Sequence, residues 1–199
     1  MEITRPVTEP LRLADVSLDD GLTLDDRLAI EARTNVEAFS PLYEQHIQRA
    51  FRYLRARGSG EEDAADLTSI TFERALRHID RYRPGGAGFA PWLLRIARNA
   101  SIDAGRRRRD GPLDLADAAS LADPARSPEG AAIAAEQYRW IHSLVARLPE
   151  IQRDALALRF AAGLSSREIA PVIGKSEAAT KKLLSRSLAT LKEASRDDS

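Results

Sequence analysis

Apolar residues recur at helical intervals through most of the chain. Between Asn35 and Arg57, the residues Phe39, Tyr43, Ile47, Ala50, Phe51 and Leu54 stand three and four apart, which places them on one face of a helix. Gly58-Ser59-Gly60 breaks that pattern. A second helix is predicted from about Glu61 to Tyr82, with Leu67, Ile70, Leu76 and Ile79 as its apolar stripe. Glu61, Glu62 and Asp63 suit the positive end of its dipole, and Pro84-Gly85-Gly86 stops it in a flexible loop. Pro91 is tolerated in a first helical turn, so a third helix is expected from there through Trp92, Leu93, Ile96 and Ile102 to Arg106-Arg107-Arg108-Arg109. Three such helices can share one core.

The pattern then lapses. From Asp110 to about Ala135 the composition shifts to Ala, Asp, Pro and Gly, with acids at 110, 114, 117, 123 and 129 against the lone base Arg126, as in a linker with little core of its own. Helical spacing returns with Ile141, Leu144, Val145 and Leu148, is punctuated by Pro149, and continues with Ile151, Ala155 and Leu158. No strand-like alternation of useful length and no internal repeat is visible. The fold class is therefore all-α, two small helical domains joined by a flexible linker. The expected divisions are an acidic extension at 1–35, a helical domain at 36–109, an acidic linker at 110–135 and a second helical domain at 136–199.

The second domain carries the clearest motif. Ile169, Val172 and Ile173 share one face of a short helix, Gly174 follows where a left-handed residue fits, and Ser176 can cap the next helix. That order is a helix-turn-helix. In its second helix Thr180, Leu184, Leu188 and Leu191 are expected to pack inward, which turns Ser176, Glu177, Ala178, Lys181, Lys182, Ser185 and Arg186 toward a DNA major groove. A helical hairpin with a solvated basic face is the plainer alternative.

Charge bears on this reading only through its placement, because Lys plus Arg and Asp plus Glu balance at 30 each. Arg95, Arg98 and Asn99 share the third helix with Trp92, and before it lies a loop with Tyr82, Arg83, Gly85, Gly86, Gly88 and Phe89. Cations beside aromatics suit a single strand, whose bases stack at about 1–3 kcal/mol each while Arg tracks the backbone. Trp92 itself is expected in the core. Arg106 and Arg107, with the rest of the arginine run, also satisfy a helix C-terminus or form an ordinary solvated surface.

Composition removes other chemistries. The absence of Cys excludes disulfides, thiol catalysis and cysteine-ligated zinc, and no cofactor is expected. His46, His78 and His142 lie in separate helices with no catalytic partners in evident reach, so an enzyme is disfavoured. The opening residues, rich in acids from Glu2 to Asp26, offer no apolar run for a signal or a membrane span, which points to a cytoplasmic protein without membrane insertion. Within them Thr23 to Asp26 resembles a capping box that could start an extra helix.

Three segments in order resemble the extracytoplasmic-function sigma factors of bacterial RNA polymerase. They are Asp63-Ala-Ala-Asp-Leu-Thr-Ser-Ile-Thr-Phe-Glu-Arg-Ala-Leu76, then Phe89-Ala-Pro-Trp-Leu-Leu-Arg-Ile-Ala-Arg-Asn-Ala-Ser-Ile-Asp103, then Leu148-Pro-Glu-Ile-Gln-Arg-Asp-Ala-Leu-Ala-Leu-Arg-Phe160. The resemblance covers about 38–109 as region two and 136–193 as region four. It implies a non-enzymatic factor that brings core RNA polymerase to promoter DNA. Asp66, Glu73 and Arg74 would then dock on the polymerase, the loop from Arg83 to Phe89 and the helix through Asn99 would hold the melted minus-ten element, and the helix-turn-helix would read the minus-thirty-five element as duplex. An anti-sigma protein is the restraining partner the family implies. The sequence departs from the family at Ala178, often Gly, at Thr180, usually apolar and β-branched, and at Leu183, commonly basic. A linker of roughly 25 residues reaches at most about 80–90 Å, enough for the about 70 Å of two duplex turns.

The competing readings are a stand-alone helix-turn-helix regulator, which would bind operators tightly without polymerase, and an adaptor that binds only proteins.

Overall fold

The structure, a computed structural model, describes residues 21–109, 140–141 and 143–197. The expected linker, His142 and the side chain of Arg107 lie outside the described residues. Every regular element among the described residues is helical, as the spacing of apolar positions required.

The capping box at Thr23 does start a helix, α1 (Leu24–Glu31): the Thr23 hydroxyl accepts from the Asp26 N–H at 3.1 Å and the Asp26 carboxylate accepts from the Thr23 N–H at 2.9 Å. The packing does not break at residue 35, because Ala29 and Ala32 are buried in the same core as Phe39 and Leu42. A 3-10 turn at Val36–Phe39 leads into α2 (Ser40–Ala56), and α3 follows at Glu61–Arg77. Helix α3 stops before Tyr82: His78 leaves helical geometry and a single 3-10 turn covers Ile79–Arg81. Thr68 and Thr71 are buried in α3 without cost in unpaired hydroxyls, since each donates to the carbonyl four residues back at 2.6 Å.

Helix α4 (Phe89–Arg109) begins two residues before the expected Pro91. The difference moves Phe89 into the helix, where Phe89, Leu93 and Ala97 continue one apolar stripe at intervals of four. Phe89 therefore joins an aromatic core rather than a surface, with ring centroids 6.4 Å from Phe39 and 5.6 Å from Tyr82.

In the second half, residues 143–146 are helical, α5 (Glu150–Leu156) follows Pro149, and a π-helical turn occupies Ala157–Ala161. Helix α6 (Ser166–Ile173) has a capping box of Ser165 and Glu168 and ends on Gly174 at φ 68°, the left-handed residue the turn requires. Ser176 then accepts from the Ala179 N–H at 3.2 Å and starts α7 (Glu177–Asp197). The inner face of α7 differs from expectation at one place: Leu188 is exposed and Ser187 is buried instead. The stripe runs 180, 184, 187 and 191, because a helix of 3.6 residues per turn drifts off a strict interval of four, and Ser187 meets burial by donating to the Leu183 carbonyl at 2.8 Å.

The two halves share a core. One continuous apolar cluster joins Tyr53, Leu54, Leu94 and Ala97 of α2 and α4 to Leu158, Leu164, Ile169 and Val172 of the second half. Asp154 of α5 is 1% exposed and sits between two arginines of the first half, paired with Arg57 and with Arg98 Nε at 2.6 Å. Arg57 also reaches Glu150 at 3.2 Å, and Arg52 donates to the Ala161 carbonyl at 3.3 Å. These contacts close the seam with both apolar burial and charge.

Candidate nucleic-acid interfaces

The loop from Tyr82 to Gly88 connects the end of α3's 3-10 turn to α4, and it takes positive φ at Gly85 (74°) and Gly88 (92°). Beside it lies a cavity of about 180 Å³ lined by Arg81, Tyr82, Arg83, Gly88, Trp92 and Arg95, with Pro171 of α6 on its far wall. Arg83 is exposed, and its Nη1 donates to the Asp80 carbonyl at 2.8 Å, which anchors the guanidinium on neutral backbone and leaves its charge unpaired there. Three arginines and an indole lining one cavity form the kind of surface on which an unpaired, negatively charged strand can stack and be held.

The structure corrects the role expected of one aromatic. Trp92 packs on the aromatic core as expected, with its ring centroid 5.4 Å from Tyr82, and its half-buried side chain also lines the cavity. Phe89, expected on the strand-binding surface, is 1% exposed. A base cannot stack on Phe89 without opening the core, so its part is to hold the loop from beneath.

Along α4, Arg95, Asn99 and Arg106 are exposed at spacings that put them on one face. Arg98 departs from them. It turns into the seam and holds Asp154, so the closed arrangement engages a guanidinium expected to hold DNA.

At the cap of α7 and along it, the side chains of Ser176, Glu177, Ala178, Lys181, Lys182, Ser185 and Arg186 are all exposed. Lys181 is 64% exposed and pairs with Glu177 at 2.6 Å, one turn back, and this pair keeps the Glu177 carboxyl below the usual range. A solvated pair of this kind breaks readily, so Lys181 is available to a phosphate. On α3, Asp66 and Glu73 are exposed one heptad apart, Glu73 is paired with Arg77, and Arg74 reaches Asp103 of α4 at 3.2 Å. Asp66 and Arg74 meet at a shallow cavity with Ile70 and Ala104; Glu73 faces a different groove with Tyr43 and Phe72.

Sequence reading missed the groups that organise these surfaces. Asp154 occupies an apolar stripe with Ile151 and Leu158, and an acid on such a face signals a buried partner, but nothing local names Arg57 and Arg98 as that partner. Asp25 and His46 are a second example, bonded at 2.8 Å across a gap of 21 residues. His46 Nδ1 faces Arg49 at 3.4 Å, so the consistent tautomer donates from Nε2 to Asp25 and accepts at Nδ1. Burial, aided by Arg49, holds His46 below its ordinary value of 6.5 despite Asp25. The unfolded chain then binds the proton first, so stability is complete above about pH 6.5 and declines as pH falls from there through the lowered folded value. Thermal unfolding followed from pH 8 to pH 5 is expected to show that decline, and His46→Gln is expected to flatten it.

No helix among the described residues is long and apolar enough to cross a membrane. Residues 42–110 match the model of Sigma-70 region 2, and residues 138–191 match that of Sigma-70, region 4. Two relatives are similar in sequence. The ECF RNA polymerase sigma factor BldN of Streptomyces coelicolor is 36% identical over 81% of this chain, which spans 62% of that protein's length. The ECF RNA polymerase sigma factor SigD of Mycobacterium bovis is 34% identical over 71% of this chain and 69% of its own. Among solved structures, CnrH in complex with the cytosolic domain of CnrY superposes with a TM-score of 0.69 at 26% identity, covering 89% of this chain and all of the other.

Proposed function

Since this chain belongs to the extracytoplasmic-function sigma factors of the sigma-70 family, we propose that it binds core RNA polymerase in the cytoplasm and directs promoter-specific initiation, without itself catalysing a reaction. The observation that carries this reading is the pairing, in one chain, of a cationic cavity suited to a single strand with a helix-turn-helix suited to duplex. Arg83, Arg95, Asn99 and Arg106 hold the melted minus-ten strand; the exposed face of α7 reads the minus-thirty-five duplex. Asp66, Glu73 and Arg74 dock on the polymerase. An anti-sigma protein is the proposed restraining partner.

The closed seam bears on how this works. Two duplex turns between the elements span about 70 Å, whereas Arg98 and Asp154 are in direct contact. Engaging both elements at once therefore requires the seam to part, which also releases Arg98 to the strand.

Run-off transcription with core polymerase and this protein on genomic promoter fragments tests the reading: a specific product is expected, and neither product nor polymerase binding would refute it. The division of labour has its own test. Lys181→Ala and Lys182→Ala are expected to weaken binding to the upstream duplex and lower the log–log salt slope by about one each. Asn99→Ala is expected to spare duplex binding and impair promoter opening, read by permanganate reactivity. Equal effects of all three on duplex affinity would contradict it.

A further inference from the structure

Helix α1 lies before the residues that match region 2, yet its first turn is bonded into the loop beside the cationic cavity. Asp26 is 2% exposed, and four donors reach its carboxylate. The Tyr82 hydroxyl donates to Oδ1, while the Thr23 N–H and hydroxyl donate to Oδ2 at 2.9 and 2.8 Å. The Gly85 backbone N–H also donates to this carboxylate. From just past the other end of the helix, Arg33 Nη2 donates to the Tyr82 carbonyl at 2.8 Å. Tyr82 and Gly85 flank Arg83, and Tyr82 lines the cavity.

We propose that Asp26 is a positioning residue for strand capture: by tying Tyr82 and Gly85 to α1, it sets the conformation of the loop that presents Arg83 to the unpaired strand. The inference rests on the proposed role of that loop in holding the minus-ten strand.

The chemistry calls for a carboxylate. Four donors converge on two oxygens, and an amide would offer one acceptor and point its own N–H2 at a donor. Burial alone would push the Asp26 carboxyl up, but Tyr82, Thr23 and Gly85 together hold it below its usual value, so the group is ionised wherever the protein is folded near neutrality. Gly85, at φ 74°, has no side chain to brace it, and no neighbouring atom lies within contact of where a Cβ would stand. A hinge of this kind, open to solvent and in the left-handed region, needs an external tie to hold one conformation.

The test uses holoenzyme assembled from core RNA polymerase and the full chain, binding a randomised single-stranded DNA pool. Asp26→Asn and Tyr82→Phe are each expected to weaken pool binding about tenfold and to flatten the base preference recovered by sequencing the bound fraction. The double variant is expected to be no worse than the poorer single one, because both remove the same tie. Polymerase association and upstream duplex binding are expected to stay at wild-type levels. A wild-type base preference in both single variants overturns the inference, as does a loss shared equally with polymerase association and duplex binding, which marks α1 as a brace for the whole domain. Arg83→Ala in the same assay separates the two levels: if it too leaves the pool untouched, the loop is not the strand reader and both readings fall. If Arg83→Ala impairs capture while Asp26→Asn does not, only the role of Asp26 falls.

Discussion

Replacing Asp154 with alanine is expected to cost about 3–5 kcal/mol of stability and to let the two halves of the molecule separate. The carboxylate is 1% exposed between Arg57, 9% exposed, and Arg98, 21% exposed. Removing it leaves Arg57 charged and largely out of water, and an uncompensated buried charge is far more costly than a lost surface pair. Glu150, half-exposed and 3.2 Å from Arg57, can recover part of that loss, so the lower end of the range is expected. Asp154→Asn should fall between, since the amide keeps a neutral acceptor for one guanidinium. Urea unfolding measures the energetic part, and small-angle scattering measures the opening as a rise in radius of gyration. An alanine variant as compact and as stable as the parent would show that the apolar cluster alone closes the seam.

Phe89→Ala is the second large effect, a destabilisation of about 3–5 kcal/mol from lost burial and the cavity left behind. That corresponds to a fall in Tm on the order of 10 °C for a chain of this size, readable by circular dichroism. The ring touches the aromatic core from four sides, with centroids of Phe39, His46, Tyr82 and Trp92 at 6.4, 5.3, 5.6 and 5.5 Å. It also lies beneath the loop that carries Arg83, so strand capture is expected to fail along with stability. A variant that melts like the parent and fails only in strand binding would return Phe89 to the surface role that its sequence neighbourhood suggested.

These two residues divide what was legible from what was not. The helices, the capping box at Thr23, the left-handed Gly174 and the exposed basic face of α7 follow from spacing and from local hydrogen bonding within a few residues. The error at Phe89 came from starting α4 at Pro91: extending the helix back by two residues puts Phe89 in register with the buried Leu93 and Ala97. Leu188 and Ser187 show the same sensitivity farther along, where an interval of four drifts off the buried face.

Periodicity, caps and charge placement along the chain were enough to specify an all-helical protein with a helix-turn-helix in its second half and an arginine-lined loop in its first, because each of those depends on groups within one or two helical turns. Which charges meet across the fold was decided only in three dimensions. Asp154 finds Arg98 from 56 residues away, and Tyr82 finds Asp26 from the same distance. Such pairs are selected by the burial that brings their elements together, and a buried charge accepts whatever opposite or donating group the packing delivers, so no local pattern in the sequence can name it.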